Sequence, residues 1–133
     1  MNKIEHIGIA VNNMEAACDL YERLLGVSCY KMEAVKSEGV NTAFFQVGDD
    51  KIELLSAIDG VGTIAKFLER KGEGIHHIAF NVEDIAAEML RLKDEGFLLL
   101  NEIPKRGADN KLVCFVHPKE THGVLIELCQ EIK

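Results

Sequence analysis

No long apolar run occurs in this sequence. Its purely hydrophobic stretches extend only a few residues, far short of the roughly 20 needed to cross a bilayer. No charged-then-apolar segment opens the chain, so a cytoplasmic protein without a membrane partner is expected. Cys-x-x-Cys spacing is also missing. Cys18, Cys29, Cys114 and Cys129 stand apart, and a core of this size needs no disulfide staples, so reduced and mostly buried thiols are expected. Basic residues are in deficit: 15 Lys and Arg against 22 Asp and Glu leave a net charge of -7, which argues against a nucleic-acid partner. What remains is the composition of an ordinary globular protein, 47% hydrophobic and 28% charged over 133 residues. That is enough to bury a real core in one domain, 1–133.

The chain repeats itself. His6-Ile7-Gly8-Ile9-Ala10-Val11 is followed by Asn12-Asn13 and then by apolar residues at helical spacing, Ala16, Ala17, Leu20, Tyr21 and Leu24, up to Gly26. His77-Ile78-Ala79-Phe80-Asn81-Val82 follows the same plan through Glu83-Asp84 and Ile85, Ala86, Met89, Leu90 and Leu92 to Gly96. Each copy reads as a strand of period two and then a helix. Asn13 and Asp84 suit the N-caps, Gly26 and Gly96 the left-handed C-terminal positions. Three more strands are expected in each half: Val27 to Tyr30, Thr42 to Val47 and Ile52 to Leu55, then Phe97 to Leu100, Leu112 to Val116 and Val124 to Leu128. A short helix around Ile64, Ala65, Phe67 and Leu68 sits in the connector. The expected fold is α+β, with two βαβββ repeats (1–58 and 75–133) joined by residues 59–74. Their curved mixed sheets would form a shared open cleft with the helices outside, because a four-stranded half with one helix cannot cover both faces of its own sheet.

Four polar residues interrupt this hydrophobic plan at equivalent points. Strand alternation sets His6 apart from Ile7, Ile9 and Val11, beside the small Gly8 and Ala10. His77 occupies the matching place in the second copy, beside Ala79. Glu53 and Glu127 break the last strand of each half, 47 and 50 residues after their histidines. A lone strand histidine is usually satisfied in the core or at the surface, and a lone strand glutamate usually faces water. Four of them at equivalent points of a duplication point instead to one mixed nitrogen–oxygen shell for a divalent cation: Co²⁺, Mn²⁺, Ni²⁺, Zn²⁺ or Mg²⁺. In an octahedral arrangement two positions would remain for water or for two oxygens of a substrate. His76 projects to the opposite face and reads either as structural or as a support behind the site; His117 and His122 flank a loop, open to contact with ligand or with solvent alone.

With these residues the chain resembles the vicinal oxygen chelate superfamily, and within it the methylmalonyl-CoA epimerases. The likeness spans essentially the whole chain. It is carried by His6-Ile7-Gly8-Ile9-Ala10, Ile64-Ala65-Lys66-Phe67-Leu68, Gly72 to Phe80, His117-Pro118-Lys119 and Gly123 to Leu128. The resemblance implies metal-dependent interconversion of (R)- and (S)-methylmalonyl-CoA through a stabilised enolate. The ligands would be His6, Glu53, His77 and Glu127, with Co²⁺ the foremost ion. Glu127 would be one acid/base, and Glu53 the residue proposed opposite it. Thr42 falls where some members carry a glutamate and cannot act as a base, so a metal-bound water and Glu38 stay open beside Glu53. Lys119 would contact the coenzyme A thioester, with Lys105, Arg106 and Lys111 as further basic residues, and a homodimer is expected. Rival readings are a glyoxalase-type lyase acting on a glutathione thiohemiacetal, a non-enzymatic binding protein of the same fold and, last, an extradiol dioxygenase.

Overall fold

A computed structural model describes residues 1–133. The fold is α+β, with strands β1 (Lys3–Ala10), β2 (Lys31–Val35), β3 (Val40–Val47), β4 (Asp50–Ala57), β5 (Gly74–Asn81), β6 (Lys105–Arg106), β7 (Lys111–Val116) and β8 (Leu125–Glu131). Helices α1 (Met14–Leu25) and α3 (Ile85–Asp94) follow β1 and β5, and α2 (Thr63–Lys71) lies in the connector. Two βαβββ modules result. The chain divides into two compact units, His6–His76 in one and Met1–Glu5 with His77–Lys133 in the other. No helix is long and apolar enough to cross a membrane, and all four cysteines are free. Burial pushes the Cys114 thiol above its ordinary range, and burial together with Cys29 and Glu22 does the same for Cys18.

In the unit His6–His76, β1 pairs parallel with β4, β4 antiparallel with β3, and β3 antiparallel with β2. One face of this sheet packs Ile9, Val11, Ala43, Phe45, Ile52 and Leu54 against α1. Asn13 caps that helix, its side chain accepting from the Ala16 N–H at 3.0 Å, and Gly26 ends it at φ 72°. The packed stripe is Met14, Ala17, Cys18, Tyr21 and Leu25. Leu20 and Leu24, expected on the apolar side, face solvent instead, since a stripe through Tyr21 and Leu25 places them off its axis. The opposite sheet face carries Ala10, Val40 and Leu55, which α2 covers with Ile64, Phe67 and Leu68.

In the other unit β5 pairs parallel with β8, β8 antiparallel with β7, and β7 antiparallel with β6. Val82, Cys114, Val116 and Leu128 pack against Ile85, Met89 and Leu92 of α3, while Ala79, Val113, Cys129 and Phe115 form a second cluster. Asp84 caps α3 by accepting from the Ala87 N–H at 3.1 Å, and the Gln130 side chain accepts from the Ile85 N–H at 2.8 Å. Gly96 lies one residue beyond the C-cap, which is Glu95, and has φ 93°.

Two expected strands lie elsewhere. Residues 27–30 are not a strand, because the Glu22 carboxylate holds the Cys29 N–H at 2.9 Å and keeps the chain beside its helix. The edge strand starts only at Lys31. Residues 97–100 run beside β7, with the Leu100 N–H reaching Phe115 O at 2.8 Å and a single bridge from Leu99 to Val116. The Asn101 amide then replaces backbone pairing, accepting from the Phe115 N–H at 3.1 Å and donating to Ile103 O at 2.7 Å. Pairing resumes over Lys105–Arg106.

Candidate metal centre

The first imidazole–carboxylate pair follows from the β1–β4 register. Gly8 stands opposite Glu53 and His6 two residues earlier, opposite Lys51. Successive side chains alternate across a strand, so His6 and Glu53 share one face, and Gly8 contributes no side chain between them. His6 Nε2 lies 3.2 Å from Glu53 Oε1, with each side chain 6% exposed. Phe44 is the antiparallel neighbour of Glu53 and is fully buried. Tyr30 packs against it at 6.1 Å between ring centroids.

The second pair is built the same way. Ala79 stands opposite Glu127 and His77 two residues earlier, opposite Leu125. His77 Nε2 lies 3.3 Å from Glu127 Oε1, the side chains 3% and 8% exposed. Phe115, in register with Glu127, meets the His77 ring edge-on at 6.4 Å and 87°. Both modules therefore hold an identical offset: a histidine, a small residue two places on, and a glutamate opposite that residue. Sequence intervals of 47 and 50 differ only through the loops between.

A buried carboxylate needs a charged or strongly donating partner. Each glutamate has an imidazole in reach, and imidazole nitrogen is a donor suited to borderline cations. Nitrogen and carboxylate donors at this spacing fit a divalent metal, and a neutralising ion would relieve the buried negative charge.

The remaining expected residues are placed as follows. Thr42 is fully buried and its hydroxyl donates to Glu33 O at 2.8 Å, so that group is committed to the β2 backbone. Glu38 belongs to a 3-10 turn just before Gly39. The register from Val40↔Ala57 to Phe44↔Glu53 sets the start of β3 about 13 Å along the strand from Glu53. His76 packs its ring on Phe67 of α2, 4.9 Å away and edge-on, which is a structural role. His117 caps the 3-10 turn Pro118–Thr121, its Nδ1 accepting from the Lys119 N–H at 3.1 Å. Lys119 is exposed on that turn, whereas Lys111 opens β7 and is buried. Sequence reasoning missed Glu5, a buried carboxylate in the strand before His6. Its only signal was an acidic residue in strand alternation, indistinguishable from a solvated one.

The duplicated module and its paired imidazole and carboxylate side chains define the class. The chain belongs to the Glyoxalase/Bleomycin resistance protein/Dioxygenase superfamily, whose family model matches residues 5–115. It is 40% identical over 132 residues to the ethylmalonyl-CoA/methylmalonyl-CoA epimerase of Cereibacter sphaeroides, covering 98% of both chains. It is 37% identical over 131 residues to the mitochondrial methylmalonyl-CoA epimerase of Homo sapiens, covering 98% of this chain and 74% of that protein. The crystal structure of methylmalonyl-CoA epimerase from Mycobacterium tuberculosis superposes with a TM-score of 0.94 at 34% identity, covering 98% and 89% of the two chains. Within the superfamily, this chain falls in the methylmalonyl-CoA epimerase family.

Proposed function

We propose that this protein is a divalent-metal-dependent epimerase that interconverts (R)- and (S)-methylmalonyl-CoA, with His6, Glu53, His77 and Glu127 holding one ion. The observation that carries this reading is the repeated register: two buried imidazole–carboxylate pairs, at 3.2 and 3.3 Å, arise from the same offset in both modules of an epimerase relative. When bound, the ion supplies a Lewis acid toward the thioester oxygen on which negative charge develops.

The chain's own groups do the proton chemistry. The reacting carbon lies between a thioester and a carboxylate, and inversion needs a proton acceptor on one face and a donor on the other. Glu127 takes one face and Glu53 the other. The commitment of the Thr42 hydroxyl to Glu33 O supports Glu53 in that role, as does the distance of the Glu38 turn along β3. Phe44 and Phe115, the strand neighbours of the two glutamates, exclude water on the flanks of the pairs and so strengthen the local electrostatics. Lys119, exposed beside His117, contacts the coenzyme A portion. The protein acts in the cytoplasm as a homodimer, for which size-exclusion chromatography with light scattering is the check.

Metal analysis of the purified protein, combined with racemisation of methylmalonyl-CoA before and after chelation, tests the proposal. Loss of racemisation on chelation and its return with Co²⁺ is the expected result. Full activity after exhaustive chelation would sink the metal-dependent reading.

A further inference from the structure

Lys105 opens β6 and pairs with Val113 of β7. Residues directly opposed in an antiparallel pair project to one face. Val113 is buried with Ala79, Cys129 and Phe115, and Ala79 and Phe115 are the register partners of Glu127. Lys105 thus projects to the sheet face that carries His77 and Glu127. Arg106 opposes Leu112, which packs with the α3 core on the other face, and its side chain donates to Asn110 Oδ1 at 3.1 Å.

The Lys105 ammonium stands 5.8 Å from the centroid of the Phe115 ring, within cation–π range. The same ring meets His77 edge-on at 6.4 Å. One aromatic ring therefore separates a positioned cation from the imidazole of the second pair. Holding the ammonium over the ring restricts the lysine's rotamers before any ligand arrives, which lowers the entropic cost of a later ionic contact. Lys119, by contrast, lies on an exposed turn with no such platform.

On the basis of the function proposed above, we infer that Lys105 is a substrate-binding residue that receives an anionic oxygen group of the acyl thioester. Two parts of that substrate carry such groups, the free carboxylate of the acyl chain and the phosphates of its carrier. A charge-assisted hydrogen bond to either, once lost, raises KM by about ten- to a hundred-fold.

The test compares wild type, Lys105→Ala and Lys105→Arg, each verified as folded by circular dichroism, with methylmalonyl-CoA and with the methylmalonyl thioester of N-acetylcysteamine, which lacks phosphates. A raised KM with little change in kcat in Lys105→Ala, largely restored in Lys105→Arg, supports the inference. If the rise appears with both thioesters the partner is the carboxylate; if only with methylmalonyl-CoA, it is a phosphate. An unchanged KM for both thioesters overturns it, as does an equal fall in kcat that arginine does not rescue. Should the wild type turn over neither thioester, the epimerase reading fails. Calorimetric titration with methylmalonate and with coenzyme A then addresses Lys105 independently: weaker binding by Lys105→Ala upholds its role, and equal binding, or none by the wild type, overturns it.

Discussion

If Glu53 and Glu127 serve opposite faces of the reacting carbon, the isosteric variants Glu53→Gln and Glu127→Gln should each lose proton exchange from one enantiomer and keep it from the other. Gln preserves the volume and an oxygen acceptor within reach of the imidazole, at the 3.2 and 3.3 Å separations of the two pairs. Both variants should therefore fold, with unfolding free energies within about 1–2 kcal/mol of wild type. A positioned acid/base contributes about 10²- to 10⁴-fold, or roughly 3–5 kcal/mol of barrier, so exchange from the affected enantiomer should fall by that factor. The assay is deuterium incorporation from D₂O into each enantiomer of methylmalonyl-CoA, followed by mass spectrometry with excess Co²⁺ and measured metal content. Saturating metal separates loss of the base from loss of the ion. Native-rate washout from both enantiomers in Glu53→Gln would refute its assignment, and equal losses from both enantiomers in each variant would refute the two-face arrangement.

Other outcomes follow from the same geometry. Ion binding to the native state at a hundredfold excess over Kd adds about 2.7 kcal/mol, so Co²⁺ should raise Tm by about 5–10 °C over chelated protein, and His77→Ala should abolish that rise in differential scanning fluorimetry. Asp84→Ala removes the acceptor for the Ala87 N–H and should cost about 1 kcal/mol in urea denaturation. Phe45→Ala empties a fully buried site beneath α1 and should cost about 3–5 kcal/mol, read from the same denaturation midpoint. The Arg91 guanidinium, together with the Met1 ammonium, holds the Glu88 carboxyl below its usual 4.5. That contribution is present above the unfolded-state value and is lost as pH falls through the lower folded-state value. The gap in urea midpoint between wild type and Glu88→Gln should accordingly be widest near neutrality and close as the solution is acidified below pH 4.5.

The duplication and the histidine–glutamate offsets were readable because both rest on short-range rules. Strand alternation placed His6 beside Gly8 and His77 beside Ala79, and counting residues paired each histidine with its glutamate. The helix caps at Asn13 and Asp84 were equally legible, since a short polar side chain before an apolar run has few other uses. What escaped were features decided by tertiary hydrogen bonds. Nothing local reveals that Glu22 would hold the Cys29 N–H and delay β2, or that the Asn101 amide would stand in for a strand partner and leave Lys105–Arg106 to resume pairing. The face of α1 was misjudged because Leu20 and Leu24 continue a plausible apolar spacing, and only packing against Phe45 selects Tyr21 and Leu25. Lys105 was visible as a basic residue but not as a partner of Phe115, because the two-residue strand that orients it carries no periodicity of its own.

Gly72 and Gly74 both take positive φ, at 79° and 154°, and a Cβ at either would meet open space. A backbone break between them would leave His6 with Glu53 in one fragment and His77 with Glu127 in the other. Neither piece could then assemble the proposed four-donor shell unaided, so turnover from two co-expressed fragments would serve as a sensor of their reassociation and lend the scaffold to complementation assays.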